Sequence, residues 1–373
     1  MLNGGAIKGV VSQGQVKAWS LEISPQTGKY EAVATLGQTA VTDSQGRFQL
    51  PVAGKTSGWV LIELSADGQT RMTCDVVPSC FVGTPDAVAF GETFILSEDF
   101  RLRAAVNLDA SREVYLTPLS TLAVALAEES TAGLAGNSIE QAYGEMESAF
   151  GLRAGTLQLP PPDLVRLDGF TGSTDAVQLA VINAAFLSLV DGTNWNSIEE
   201  VLADSEALIR SEGAFSATTD SDGKPSVDKV MLRSVMLSED LQGRVVDSSV
   251  RQSLETVKTL TENFYTQIVS SNTGDRGDRG DQAEVADTYA RLSWDAPFTR
   301  MNGDKLYLGE LSGYEIRYGR DADEMDNAVT IDDANATSYT IENLAEGEWY
   351  FAVRAIDTEG LASALSSVVS KSI

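Results

Sequence analysis

Apolar residues in this chain recur with two different periods, and the change of period divides it into three parts. Up to about residue 106 they come in short alternating runs broken by glycine. From 117 to about 270 they recur at spacings of three and four, and after about 288 the alternation returns. Alternation sends side chains to opposite faces of a strand, whereas three-and-four spacing gathers them on one face of a helix. A length of 373 residues lets such parts bury cores of their own. The expected fold is therefore multi-domain, α and β: a sandwich, a helical bundle and a second sandwich.

In the first part, Gly9-Val10-Val11 and Gln15–Trp19 read as strands. Gln38–Thr42 runs into the turn Asp43-Ser44-Gln45-Gly46, from which Arg47–Val52 alternates away. The Asp43 carboxylate can take backbone amides of that turn, and Gly46 can supply its positive φ. Trp59–Leu64 is apolar enough for a central strand, and Phe94–Leu96 and Leu102–Val106 complete the set. In the middle part, Thr117 precedes Pro118 as an N-cap precedes a first-turn proline. Ser138–Gln141 and Ser197–Glu200 have capping-box spacing. Asp175–Gln178 opens another helix, and the longest is expected from Ser248 to Ser270. Pro160-Pro161-Pro162 cannot continue a helix and should separate two groups of them.

Composition removes whole classes of function. The chain has no histidine and two cysteines. Serine or cysteine triads that use histidine, histidine zinc sites and a four-cysteine zinc site are excluded. With 27 basic against 54 acidic residues the formal charge is −27, so a phosphate backbone would be repelled and no nucleic-acid partner is expected. Most of that charge, −17, falls between residues 106 and 290. No window reaches ~18 apolar residues, so no transmembrane segment is expected. The opening Met1–Gly5 lacks the basic and apolar stretches of a secretory signal. Export is expected instead from the cysteines and from the module types.

Two resemblances sharpen this reading. Gly9–Leu21, Ala40–Val52 and Gly58–Leu64, above all Thr42-Asp43-Ser44-Gln45-Gly46-Arg47-Phe48, resemble the prealbumin-like sandwich of carboxypeptidase regulatory domains and collagen-adhesin B-type repeats. This covers about the first 65 residues and implies a spacer or stalk. Residues 288–373 resemble a fibronectin type III domain, through Leu292–Pro297 with its Trp294, Gly313–Gly319, Ser338–Leu344, the alternating Trp349, Phe351, Val353 and Ala355, and Ser363–Ser366. Trp349 stands where that family keeps a corner tyrosine, so the usual hydroxyl bond to the backbone must be absent or supplied otherwise. With Val114–Ala123, the order of modules is similar to that of Gram-negative surface lipoproteins, whose lipid-bearing cysteine this chain lacks. The expected division is 1–106, a prealbumin-like sandwich; 107–270, a helical bundle; 271–287, a linker; and 288–373, a fibronectin type III domain.

Candidate sites are few. Cys74 and Cys80 enclose a short segment containing a proline, and a disulfide between them would suit an oxidising compartment; reduced thiols on a loop are the alternative. Asp220, Asp222 and Asp228 offer oxygens in a turn, as do Asp321, Asp323 and Asp326, so calcium is the one cofactor kept open. Lys224 and Met231 stand where a calcium loop needs ligands. Trp195, in the polar loop Gly192–Ser197, and Tyr350, alternating outward, are candidates for stacking on a ligand, with a local staple as the plainer role for Trp195. Arg-Gly-Asp occurs at 276–278 and 279–281, where a solvated linker needs no other purpose. Ser226-Val227-Asp228-Lys229 lacks the partner motifs of a serine-lysine enzyme. No catalytic residue is therefore assigned, although a carboxylate pair acting on a polysaccharide stays open.

The expected function is that of a non-catalytic interaction or adhesion protein in the periplasm, on the outer membrane or secreted. Its partner would be a protein or a polysaccharide. A carbohydrate-binding accessory protein is the second reading.

Overall fold

A computed structural model describes residues 1–55, 57–83, 87–218, 223–272, 290–294, 311–322, 324–331, 338–341 and 344–373. The chain forms two compact units, Met1–Arg276 and Gly277–Ile373. Among the described residues, sheets lie at both ends of the sequence with six α-helices between them. The Arg-Gly-Asp repeats and most of the expected linker lie outside the described residues.

In the first unit the main sheet has the order Arg101–Asn107 (β12), Trp59–Ser65 (β7), Gln15–Ile23 (β3) and Tyr30–Thr35 (β4), with Ala40–Val41 (β5) also on β3. The central place of β7 follows from its run of apolar residues. Val60, Leu61, Ile62 and Leu64 are all buried, as a strand covered on both faces requires. A second sheet sets Leu2–Ala6 (β1) between Arg47–Leu50 (β6), antiparallel, and Glu113–Leu116 (β13), parallel. A third joins Val11–Ser12 (β2), Arg71–Thr73 (β8) and Thr93–Ile95 (β11), and Ser79–Cys80 (β9) pairs with Val88–Ala89 (β10). The turn into β6 is built as its residues dictate. Asp43 Oδ1 accepts from the amides of Gln45 and Arg47 at 2.8 and 2.9 Å, and Gly46 has φ 72°.

Six helices follow: Pro118–Glu129 (α1), Gly136–Ala149 (α2), Thr174–Ala185 (α3), Ile198–Glu212 (α4), Val227–Arg244 (α5) and Ser248–Asn272 (α6). Thr117 caps α1 in a reciprocal box with Ser120, and Ser197 caps α4 through the Glu200 amide. The helix containing Ser138 begins three residues earlier than its box spacing suggests, at Gly136. Ser138 is buried within it, and the Trp59 indole packs so closely on Gly136 that a Cβ there would lie 2.6 Å from its nitrogen.

No packing boundary falls at residue 106. One core runs from Leu2 through β7 and β12 into α1, α2 and α4. The open edge of β12 is sealed by helix side chains. The Arg103 amide donates to Thr121 Oγ1 at 2.8 Å, and Ser120 Oγ donates to the Arg103 carbonyl at 2.7 Å. The Tyr143 hydroxyl accepts from the Ala105 amide at 2.9 Å and donates to its carbonyl at 3.3 Å. The Arg103 guanidinium reaches Glu128 on α1 and Glu206 on α4 at 2.7 and 3.0 Å. Those groups satisfy an edge that would otherwise need another strand.

The second unit pairs Ala290–Ser293 (β14) with Ser338–Ile341 (β17). Its other sheet has the order Asn327–Ile331 (β16), Leu311–Gly319 (β15), Glu348–Asp357 (β18) and Val369–Ser372 (β19). Ala290 and Ile341 meet Ile316 and Phe351 in one cluster, so the two sheets pack face to face. Trp349 is half-buried against it, and its indole N–H donates to the Ala345 carbonyl at 2.8 Å. Ahead of β19, Ser363 and Ser366 run beside β18 in an unusual way. Each donates its amide to β18, to the carbonyls of Ala355 and Val353 at 2.8 Å. Each then takes the amide of that same residue on its hydroxyl, at 3.1 Å.

Candidate functional site

The second sheet of the first unit alternates cleanly. Leu2, Phe48, Leu50, Val114 and Leu116 are buried on its core face. Pairing places Arg47, Gly5 and Tyr115 side by side on the other face, with Gln49, Asn3 and Glu113 in the next row. The adjacent glycines of β1 each serve one face. A Cβ at Gly4 would lie 2.5 Å from the Phe48 ring and 2.2 Å from the Val114 carbonyl, which only glycine tolerates. On the outer face the Tyr115 ring edge lies 3.6 Å from the place of a Gly5 Cβ. The Ile7 side chain lies closer still, at 3.4 Å, so Ile7 and Tyr115 both border that place at ordinary contact distances.

This outer face is the floor of a cleft of about 760 Å³. Its opposite wall is the segment from Pro160 to Phe170, and the turn 43–46 and the β10–β11 connection close its ends. The wall is fixed at three points. Pro161 and Pro162 are buried. Asp163 Oδ1 accepts from the Val165 amide at 3.0 Å, starting a short 3-10 turn. Asp168 Oδ1 accepts from the amides of Val246 and Asp247, both at 2.9 Å, tying the wall to the start of α6.

Behind the wall lies an ion pair with both side chains inside the protein. Lys8 Nζ stands 2.9 Å from Asp75 Oδ1, with side-chain exposures of 0% and 3%. Burial holds the Lys8 amine below its ordinary value, against the pull of Asp75. Asp163 is held above the usual carboxylate range, chiefly by burial, with the Val165 amide and Arg166 opposing and Asp75 adding. On the floor, the Tyr115 hydroxyl donates to Glu113 Oε2 at 3.3 Å. Burial, then Glu113, push its pKa up to about 12, and Arg47 pulls the other way. The phenol therefore keeps its proton at neutral pH and offers a donor, not a nucleophile.

The residues singled out in the sequence lie apart from this cleft. Cys74 and Cys80 are bonded, with Cα atoms 5.7 Å apart, and the loop they close carries Asp75 and a cis Val77–Pro78 bond. Trp195 is not an exposed platform. It is 3% exposed within the main core, and its indole N–H donates to Asp204 Oδ2 at 2.9 Å, so neither ring face is open to a ligand. Tyr350 is half-buried on β18 opposite Gly319, in the second unit. Its hydroxyl is held above the ordinary value, first by Glu348. Asp228 accepts from the Ser226 hydroxyl at the start of α5, while Asp321 and Asp326 are exposed. Asp220, Asp222 and Asp323 lie outside the described residues. Among the described residues no group of three acidic or cysteine side chains is placed to hold a metal.

Sequence reasoning missed Asn3, Arg47, Tyr115 and Phe170 as a group. The available signal was the alternation Glu113-Val114-Tyr115-Leu116, which marks a half-buried strand. A comparison with protein-family models finds no match, and a search of curated proteins finds no similar sequence.

Proposed function

We propose that this is a non-catalytic interaction protein acting outside the cytoplasm, in the periplasm or at the cell surface, and that it holds its partner in the cleft over β1, β6 and β13. The observation that carries this reading is the cleft itself. It joins half-buried aromatic rings to planar polar side chains on a floor of paired strands, in a volume of about 760 Å³, inside the ~300–1,000 Å³ usual for ligand sites. The Cys74–Cys80 bond supports an oxidising compartment. The resemblance of residues 288–373 to a fibronectin type III domain, and of the first 65 to prealbumin-like modules, supports a role in presentation.

The test blocks the cleft without disturbing the core. Arg166 is exposed at its rim. An Arg166→Cys chain capped with a polyethylene glycol maleimide should lose saturable binding to envelope preparations of the cells that make the protein. An equally capped Glu255→Cys chain, labelled on the exposed side of α6, should keep it. Saturable binding that ignores the cap at 166, or no saturable binding by the parent, would refute the proposal.

A further inference from the structure

We infer that the cleft binds a neutral, hydroxyl-rich saccharide, with Tyr115 as the surface on which a sugar ring rests. The inference rests on the cleft being the binding surface and adds what the surface recognises.

Four observations lead to this ligand class. First, the half-buried Tyr115 ring lies against β1 and lines the cleft, so the floor presents an aromatic ring at the level of the strands. The C–H face of a pyranose packs on such a ring, as apolar groups do on aromatic faces. Second, strand register sets Asn3 and Glu113 in one row and Arg47 beside Tyr115 in the next. These planar groups can each bond two neighbouring hydroxyls, which is how a site built for hydroxyls discriminates. Third, the charges lining the cleft nearly balance, with Arg47 and Arg166 against Glu113, Asp163 and Asp168. The chain as a whole carries −27, so this patch is one of low net charge and does not select a strongly ionic ligand. Fourth, β1 is paired on both sides. The middle of the floor therefore has no open strand edge for an extended peptide to join, the sheet ending at β6 and β13 on either side.

The stacking partner named from the sequence, Trp195, is enclosed in the core. Tyr115 replaces it.

Affinity electrophoresis of the full chain tests the inference, with galactomannan, xyloglucan, mixed-linkage β-glucan and dextran as probes. At least one should retard the parent. Tyr115→Ala should weaken that retardation by at least ~10-fold in dissociation constant, about 1.4 kcal/mol. Tyr115→Phe keeps the ring and should stay within ~3-fold, which separates stacking from mere loss of fold. Tyr350→Ala should migrate as the parent does. If none of the four retards the parent, or if Tyr115→Ala is retarded like the parent, the inference is overturned. Should that happen while capping at 166 still abolishes envelope binding, the cleft has a partner of another class and the interaction role stands.

Discussion

Changing Asp75 to Asn would leave the Lys8 ammonium, enclosed 2.9 Å away with no exposure of its own, without the carboxylate that offsets its burial. Breaking one side of a buried ion pair costs about 3–5 kcal/mol, because the remaining charge stays desolvated. In a unit the size of Met1–Arg276, each kcal/mol moves the melting temperature by ~2–4 °C, so a fall of roughly 6–20 °C is expected. Differential scanning calorimetry of the full chain suits the measurement, since the transition of the second unit should not move. A second variant separates charge from packing. Lys8→Met with Asp75→Leu replaces the pair by apolar groups, which is commonly neutral or stabilising by ~1–4 kcal/mol. It should melt near or above the parent. The pH dependence has a definite sign. Burial already holds the Lys8 amine below its ordinary 10.5, and Asp75 opposes this. Without Asp75 the amine is held lower still, so the unfolded chain keeps a proton that the folded chain has given up. Stability therefore rises with pH up to about 10.5, and the deficit of Asp75→Asn should shrink on that climb. A melting point within a degree or two of the parent, or a double variant as unstable as Asp75→Asn, would refute the reasoning.

Tyr143→Phe removes a hydroxyl that satisfies both backbone groups of Ala105, and stranding them should cost about 1–3 kcal/mol in urea unfolding. A change under ~0.5 kcal/mol would mean that the edge of β12 does not depend on it. Glu128 is held above its ordinary 4.5, by burial first and against Arg103. Its contribution is therefore full below 4.5 and lost as pH rises through the folded value. Glu128→Gln should flatten the fall of melting temperature over that window, and an unchanged slope would count against the assignment.

Features that depend on neighbours in sequence were legible. The Asp43–Gly46 turn, the Thr117 and Ser197 caps, the central strand Trp59–Leu64 and the span of α6 all follow from residues within a few positions of one another. Features that depend on distant partners were not. Glu113–Leu116 is a strand because β1, more than a hundred residues earlier, pairs with it in parallel. Four residues of alternation cannot announce that. The cleft has the same difficulty, since β1, the turn 43–46, β13 and the wall 160–170 are each unremarkable until packing brings them together. Trp195 misled because its flanking residues are polar. The acceptor for its indole, Asp204, lies nine residues on, within α4. The start of α2 was misplaced because the helix opens at Gly136 with no side-chain cap, and Ser138 lies buried inside it.

The two serines beside β18 bear on how readily another strand could add at that margin. Leu361, Leu365, Val368 and Val369 are all exposed, at 41–65%, along the margin of a sheet where apolar residues invite another chain to stack on and grow a fibril. Ser363 and Ser366 are three residues apart, whereas their partners Ala355 and Val353 are two apart. A hydroxyl stands in for a carbonyl at each contact, and each hydroxyl also donates to the carbonyl of the next residue. The outward amides and carbonyls thus fall out of step with the two-residue rhythm that an incoming strand must match. A strand arriving at this margin would find apolar side chains but few backbone groups in register with its own.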